Sequence, residues 1–257
     1  MPPTTRLPAG SGARQARAER ILDSAGELLR QHGYKRVTID DVATRAGIGK
    51  GTIYLHWKTR EALFWAVLQR DAARMLTDVL ADLAADPALA LPSRLMRAIF
   101  LGVSRRPLVQ AMLLNDAGVI GDLARDESVS AAQRELAGGD NYLEMLADLG
   151  LLRPGLTVEA AGHILASVMR GFYQSGPDAG TAPPAGTAPT AGTAQSNRTA
   201  EGLPLSEQAD LLAGVLRRSL EADGQPAADV LEALNARVTA LLSRIVEVQQ
   251  NQLERAY

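Results

Sequence analysis

The amino-acid sequence predicts an all-α fold, and three observations carry that prediction. Apolar residues recur three and four positions apart through most of the chain, no segment sustains the alternation of a half-buried strand, and the apolar runs are punctuated by Gly, Pro, Thr or Asp where helices start and stop. A chain of 257 residues that is 46% hydrophobic, with a formal net charge of -2, suits a soluble globular protein of one or two domains.

The first twelve residues, rich in Pro, Gly and Thr, read as a disordered arm without the apolar core of a secretory signal. A first helix is expected from Ala13 to Gln31, with Ile21, Leu22, Ala25, Leu28 and Leu29 on one stripe and His32-Gly33 as its stop. Thr38 is a good N-cap, and Asp41 three residues later completes a capping-box-like pair, so a second helix starts at Ile39. It buries Ile39, Val42, Ala43 and Ala46 and ends at Gly47, which supplies a left-handed cap. After the turn through Ile48 and Gly49, a third short helix from Lys50 to His56 buries Ile53 and Trp57 and leaves Lys50, Gly51, Thr52 and Tyr54 outward. Thr59 caps a long fourth helix running to about Ala85, with Leu63, Val67, Met75, Val79 and Leu83 inward, before Asp86-Pro87 stops it.

Further helices are expected near Ser93 to Val103, Leu108 to Ala117, Ser128 to Leu149, Val158 to Tyr173 and Ser206 to Ala222, with Gly138-Gly139 kinking or dividing the third of these. Residues 179–196 repeat a six-residue unit of small residues and Pro. The segment 176–202 therefore reads as a disordered linker, spanning roughly 30 Å on coil scaling. In the tail, Leu231, Leu234, Val238, Leu241, Ile245, Val248 and Gln252 alternate by three and four. This pattern fits either a two-stranded coiled coil or one amphipathic helix packed on its own domain, and Leu242 broadens the stripe toward the second.

The run from Val37 to Phe64, VTIDDVATRAGIGKGTIYLHWKTREALF, resembles the TetR family of bacterial transcriptional regulators: capped helix, Gly-hydrophobic turn, Lys-Gly-Thr-Ile-Tyr, a His, an aromatic and an acidic-hydrophobic helix start. The likeness covers about the first 65 residues well, and Gly150 to Ala161 weakly resembles the segment preceding that family's dimer helix. Two residues depart from the pattern: Gly49 stands where many members carry Ser or another polar residue, and Trp57 where Phe is usual. The charge agrees, since residues 1–65 hold 11 Lys and Arg against 6 Asp and Glu while the remainder holds 16 against 23.

The resemblance implies a helix-turn-helix DNA-binding domain over 13–65 and a helical effector-binding and dimerisation domain over 66–222. The tail helix over 225–257 follows. Lys50, Gly51 and Thr52 are then the residues that reach base edges in a major groove. Thr38, Tyr54, His56, Lys58 and Arg60 are the candidates for phosphate contacts, with packing or simple solvation as the plainer reading of Tyr54, His56 and Lys58. Arg14 and Arg17 either enter a minor groove or only solvate the first helix.

An effector pocket would draw on Phe100, Met112, Leu113, Asn115, Tyr142, Met145, His163, Met169 and Phe172, though ordinary core packing explains most of these, and a satisfied core position explains His163. The implied partners are a double-stranded DNA operator, a small-molecule effector and a second copy of the chain. The four-helix dimer interface would come from the Val158 and Ser206 helices, where Gly162, Ala166, Ser167 and Gly171 permit close approach.

Other function classes find little support. With no cysteine, disulfides, thiolate sensing, Cys-ligated zinc and a Cys nucleophile are excluded. His32, His56 and His163 are widely spread, and no nucleophile elbow or carboxylate pair can be assembled. Gly47-Ile-Gly-Lys-Gly lacks the length and preceding strand of a phosphate loop. The expectation is therefore a regulator rather than an enzyme, resident in the cytoplasm, with no cofactor, metal or membrane span.

Overall fold

The computed structural model describes residues 11–114, 116, 139–174 and 203–256, and among these every named element is a helix. In chain order they are α1 (Ser11–His32), α2 (Ile39–Ala46), α3 (Lys50–His56), α4 (Arg60–Ala85), a 3-10 turn (Pro87–Ala90), α5 (Pro92–Ser104), α6 (Pro107–Leu113), α7 (Gly139–Asp148), α8 (Val158–Gln174), α9 (Leu205–Leu220) and α10 (Ala228–Ala256). The linker expected at 176–202, most of the N-terminal arm, Asn115, and the stretch of the Ser128 helix before Gly139 lie outside the described residues.

The first four helices form a three-helix head on the start of α4. Thr38 sits in extended backbone and its hydroxyl accepts the Asp41 N–H at 3.2 Å, while the Asp41 carboxylate accepts the Thr38 N–H at 2.8 Å, a complete capping box. The α2 exit is equally defined. Gly47 adopts φ 66°, and the N–H groups of Gly47 and Ile48 close onto the carbonyls of Thr44 and Ala43. Thr59 accepts the Ala62 N–H at 3.0 Å and starts α4. Ile21, Leu22, Val42, Ile53, Trp57, Leu63 and Phe64 are buried together between these helices.

A second fastening joins α1 to α4. Arg70 is buried, yet its guanidinium meets Glu19 at 2.9 Å and Asp23 at 2.9 Å and also donates to the Glu19 carbonyl at 3.3 Å. A buried cation stripped of either acid leaves an uncompensated charge, which makes this pairing expensive to break.

Beyond the head, α5 packs broadly on α9, α8 contacts both α7 and α9, and α10 lies along α4 and the 3-10 turn. The prolines at the first positions of α5 and α6 set the helical φ in place of a side-chain cap. An isolated antiparallel bridge between Leu152 and Glu221 ties the α7–α8 connection to the end of α9.

Several boundaries differ from expectation by a residue or two, and the larger differences are these. α1 begins at Ser11 rather than Ala13, so the last two residues of the expected arm are helical; α6 stops at Leu113, four residues short; and α10 begins at Ala228 rather than at 225. The tail also differs in kind. Its buried residues are Leu234, Val238, Leu242, Ile245, Val246, Gln249 and Leu253, facing α4 of the same chain. Pairs among these residues fall both seven and eleven positions apart, so the spacing alone does not separate the two readings, and the packing on α4 does. Of the two readings of the tail, α10 realises the amphipathic helix on its own domain.

Candidate nucleic-acid interface

The outer surface of the head is built by α3, which packs against α2 and buries Ile53 in the core of the head. Ile53 is fully buried and Trp57 nearly so, and these two fix the rotation of α3. That rotation leaves Lys50, Gly51, Tyr54 and Leu55 exposed, with Thr52 half-buried. No Cβ at Gly51 would meet another atom within 4 Å, so the surface there is open rather than closed by packing. Leu55 is 69% exposed, an apolar residue on this face that the periodicity of so short a helix did not single out.

The expected contact residues fall into two groups. Lys50, Tyr54 and Lys58 present exposed polar ends, and Lys50 Nζ rests on the Asp40 carboxylate at 2.9 Å, which raises its pKa. Thr38, His56 and Arg60 are already engaged in the fold. The Thr38 hydroxyl donates to Asp41 Oδ2 at 2.7 Å, and this hydrogen bond together with the backbone N–H of Thr38 holds the Asp41 carboxyl below its ordinary value. Arg60 lies over the Tyr34 ring at 4.4 Å and the Phe64 ring at 5.6 Å and donates to the Val37 carbonyl at 3.3 Å, clipping the α1–α2 connection to α4.

His56 is buried, its ring 5.3 Å from that of Trp57. Burial pushes its pKa down, and the positive charges of Arg14 and Arg17 push it the same way. Its Nδ1 has no hydrogen-bond partner among the described residues. Arg14, Arg17, Leu55 and His56 line one groove where the start of α1 meets the end of α3, so the first helix adds two cations directly beside the α3 surface.

The residues expected to form an effector pocket are only partly together. Phe100, Met112 and Tyr142 are buried in the common core, and Phe100 meets Phe172 edge-on at 6.1 Å and Tyr173 at 5.3 Å. The Tyr142 hydroxyl donates to the Ala90 carbonyl at 2.8 Å, and burial raises its pKa well above the usual phenol value. Leu113, Met145, Met169 and Phe172 are half-buried against this core. His163 is exposed, so the expectation that it occupies a satisfied core position is corrected: on α8 it falls on the outward side. Two clefts of about 630 and 480 Å³ are lined by none of these residues.

No group of three or more His, Asp or Glu that could hold a metal ion occurs among the described residues, and none of the described helices is long and apolar enough to cross a membrane.

Comparison with known proteins places this geometry. Residues 21–67 match the family model described as bacterial regulatory proteins, tetR family. The uncharacterized HTH-type transcriptional regulator YhgD of Bacillus subtilis (strain 168) is 32% identical over 122 residues, 47% of this chain and 63% of its own length. The HTH-type transcriptional regulator AcrR of Shigella flexneri is 28% identical over 127 residues, 48% of this chain and 58% of its own. The chain thus spans about three-fifths of the length of these curated relatives. Among solved structures, the SmeT–triclosan complex aligns with a TM-score of 0.55 at 20% identity, covering 81% of this chain and 93% of that one. Native NalD of Pseudomonas aeruginosa, the secondary repressor of the MexAB-OprM multidrug efflux pump, aligns at 0.52 and 18% identity, covering 83% and 100%. At these identities the likeness is one of fold.

Proposed function

We propose, from the match of residues 21–67 to the tetR family model and the exposed α3 surface, that the chain is a ligand-responsive, sequence-specific DNA-binding regulator. In this reading it represses by binding a palindromic operator as a homodimer in the cytoplasm, and a small apolar effector releases it. The observation that carries the DNA-binding part is the exposed α3 surface, held rigid from behind by Ile53 and Trp57 and flanked by Lys50, Lys58, Arg14 and Arg17. A short helix presenting cations from a fixed core is what major-groove docking requires. Lys50 and Thr52 read bases with Gly51 allowing close approach; Tyr54 and Lys58 contact phosphates; Thr38, His56 and Arg60 contact the backbone from positions the fold already holds.

The dimer reading rests on α8 and α9. His163, Ala166, Ser167, Arg170 and Gly171 form an exposed stripe of mostly small residues on α8, and Leu211 on α9 is 51% exposed. Pairing of two copies there would cover an otherwise wet apolar residue and bring two heads into one assembly. The effector reading rests on the Phe100–Phe172–Tyr173 cluster, between helices that α4 connects to the head; the SmeT structure holds triclosan and is the relevant precedent for an apolar ligand.

Selection of bound sequences from a randomised duplex library tests the proposal. The expected product is an inverted repeat with half-sites about one helical turn, roughly 34–36 Å, apart. On that duplex, Lys50→Ala relaxes base preference, and Arg60→Ala lowers the salt dependence by about one unit if Arg60 meets a phosphate. Failure to enrich any sequence would overturn the regulator reading, and an unchanged salt slope in Arg60→Ala would leave that residue a structural clip.

A further inference from the structure

A cleft of about 630 Å³ opens where the start of α5, the α7–α8 connection and the α9–α10 turn converge, away from the head and from the aromatic cluster. Arg94, Arg153, Arg217 and Arg218 line it together with Ser93, Glu221 and Asp223. We propose that this cleft binds a small molecule carrying two anionic oxygen groups, carboxylates or phosphates, with Arg153 and Arg217 as its principal anchors.

The cations of the lining, Arg94, Arg153, Arg217 and Arg218, outnumber its acids, Glu221 and Asp223. The Glu221 carboxylate is committed to the first turn of α5, accepting the Ser93 N–H at 2.7 Å. Asp223 approaches Arg153 only to 3.7 Å, from a side chain that is 92% exposed. Arg94 is matched by Asp86 at 2.9 Å, outside the lining. Arg217 and Arg218 form no ion pair among the described residues, and Arg218 folds back over Gly214, 3.5 Å from where a Cβ would stand. Arg153 Nε is buried with no acceptor among the described residues, a donor whose hydrogen bond is unmade.

The mounting of these cations is rigid. The Arg153 N–H donates to the Leu220 carbonyl at 2.8 Å and the Ala222 N–H to the Leu151 carbonyl at 2.9 Å, so the segments carrying Arg153 and Arg217 are locked across the Leu152–Glu221 bridge. Guanidinium groups fixed on a braced backbone bind planar or tetrahedral oxyanions with two donors each and lose little freedom in doing so. The volume lies within the roughly 300–1,000 Å³ of ordinary small-molecule sites. The lining mixes its arginines with apolar residues such as Leu91, Leu151 and Leu231 but holds no aromatic ring, unlike the Phe100–Phe172–Tyr173 cluster. This site therefore stands or falls independently of DNA binding.

Calorimetric titration of the full chain with pyrophosphate and with citrate, at ionic strength matched with sodium chloride, tests it. At least one of the two is expected to bind a single site per chain, and Arg217→Gln and Arg153→Gln are each expected to weaken that binding about tenfold, the effect of one lost charge-assisted contact. Arg217 lies exposed on α9, so its replacement leaves the fold intact and keeps the test decisive should Arg153→Gln unfold the connection. Arg244→Gln, an exposed change on α10, is expected to leave binding unchanged. Preference for pyrophosphate or for citrate assigns the ligand to phosphates or carboxylates. Absence of binding above the chloride control, or binding that survives both cleft substitutions and is lost in Lys50→Ala, would overturn the proposal.

Discussion

The head and the body of this protein are both wholly helical over the described residues, yet they are held by different means. In the head, each turn is fixed by a local cap, the Thr38–Asp41 box, Gly47 and Thr59, and Arg60, laid across Tyr34 and Phe64, adds a longer-range clip. In the body, α5, α6 and α9 start without a side-chain cap, and order comes from distant contacts such as Tyr142 to Ala90 and Ser93 to Glu221. The head is a finished object with one working surface. The body leaves a small-residue face on α8 and an exposed Leu211 on α9, as expected of a structure completed by a second copy.

The sharpest way to break that contrast is Leu211→Glu. If the body is completed by its partner, sedimentation velocity will show the dimer lost while the monomer keeps its helical circular dichroism; an undiminished dimer would move the interface elsewhere. Phe64→Ala tests the opposite claim, that the head is a closed core. Phe64 is fully buried against Tyr34 at 5.5 Å, and its truncation is expected to cost about 3–5 kcal/mol, read from the urea midpoint.

Smaller effects follow from the caps. Thr38→Ala should cost about 1 kcal/mol, read in the same way. Because the Thr38 hydroxyl lowers the Asp41 pKa, the box contributes fully above the ordinary carboxylate pKa of about 4 and is lost as pH falls through the lower folded-state value; Thr38→Ala should show less of that acid loss. Smallest is the effect of His56. Its folded pKa is depressed by burial and by Arg14 and Arg17, so the unfolded chain takes up a proton first and stability declines as pH falls below about 6.5. His56→Gln should flatten that decline in thermal unfolding between neutral and mildly acid pH; an identical slope would show that the imidazole is not desolvated.

The same contrast explains what could be read from the sequence. α2, α3 and the start of α4 were legible because Thr38, Gly47 and Thr59 act within three or four residues of themselves. Arg70 was not, since on a helical wheel it is one more charge; only the arrival of Glu19 and Asp23 from α1 makes it a buried clasp. The tail was legible as a helix, but the surface its apolar stripe meets was not. Spacings of three and four serve 3.5- and 3.6-residue periods alike until a drift of about 20° per heptad accumulates, and the face that α4 accepts fixes the choice. Arg153 and Arg217, 64 positions apart, gave no signal at all before the Leu152–Glu221 bridge set their segments side by side.

The ion pair between Lys50 and Asp40 carries a consequence for discrimination. With a carboxylate 2.9 Å away, Lys50 does not wait bare for a partner; it already has one in the preceding helix. In the proposed complex, a duplex has to displace Asp40 before the amine can reach a base edge, so part of each Lys50 contact is offset by the exposed ion pair it replaces.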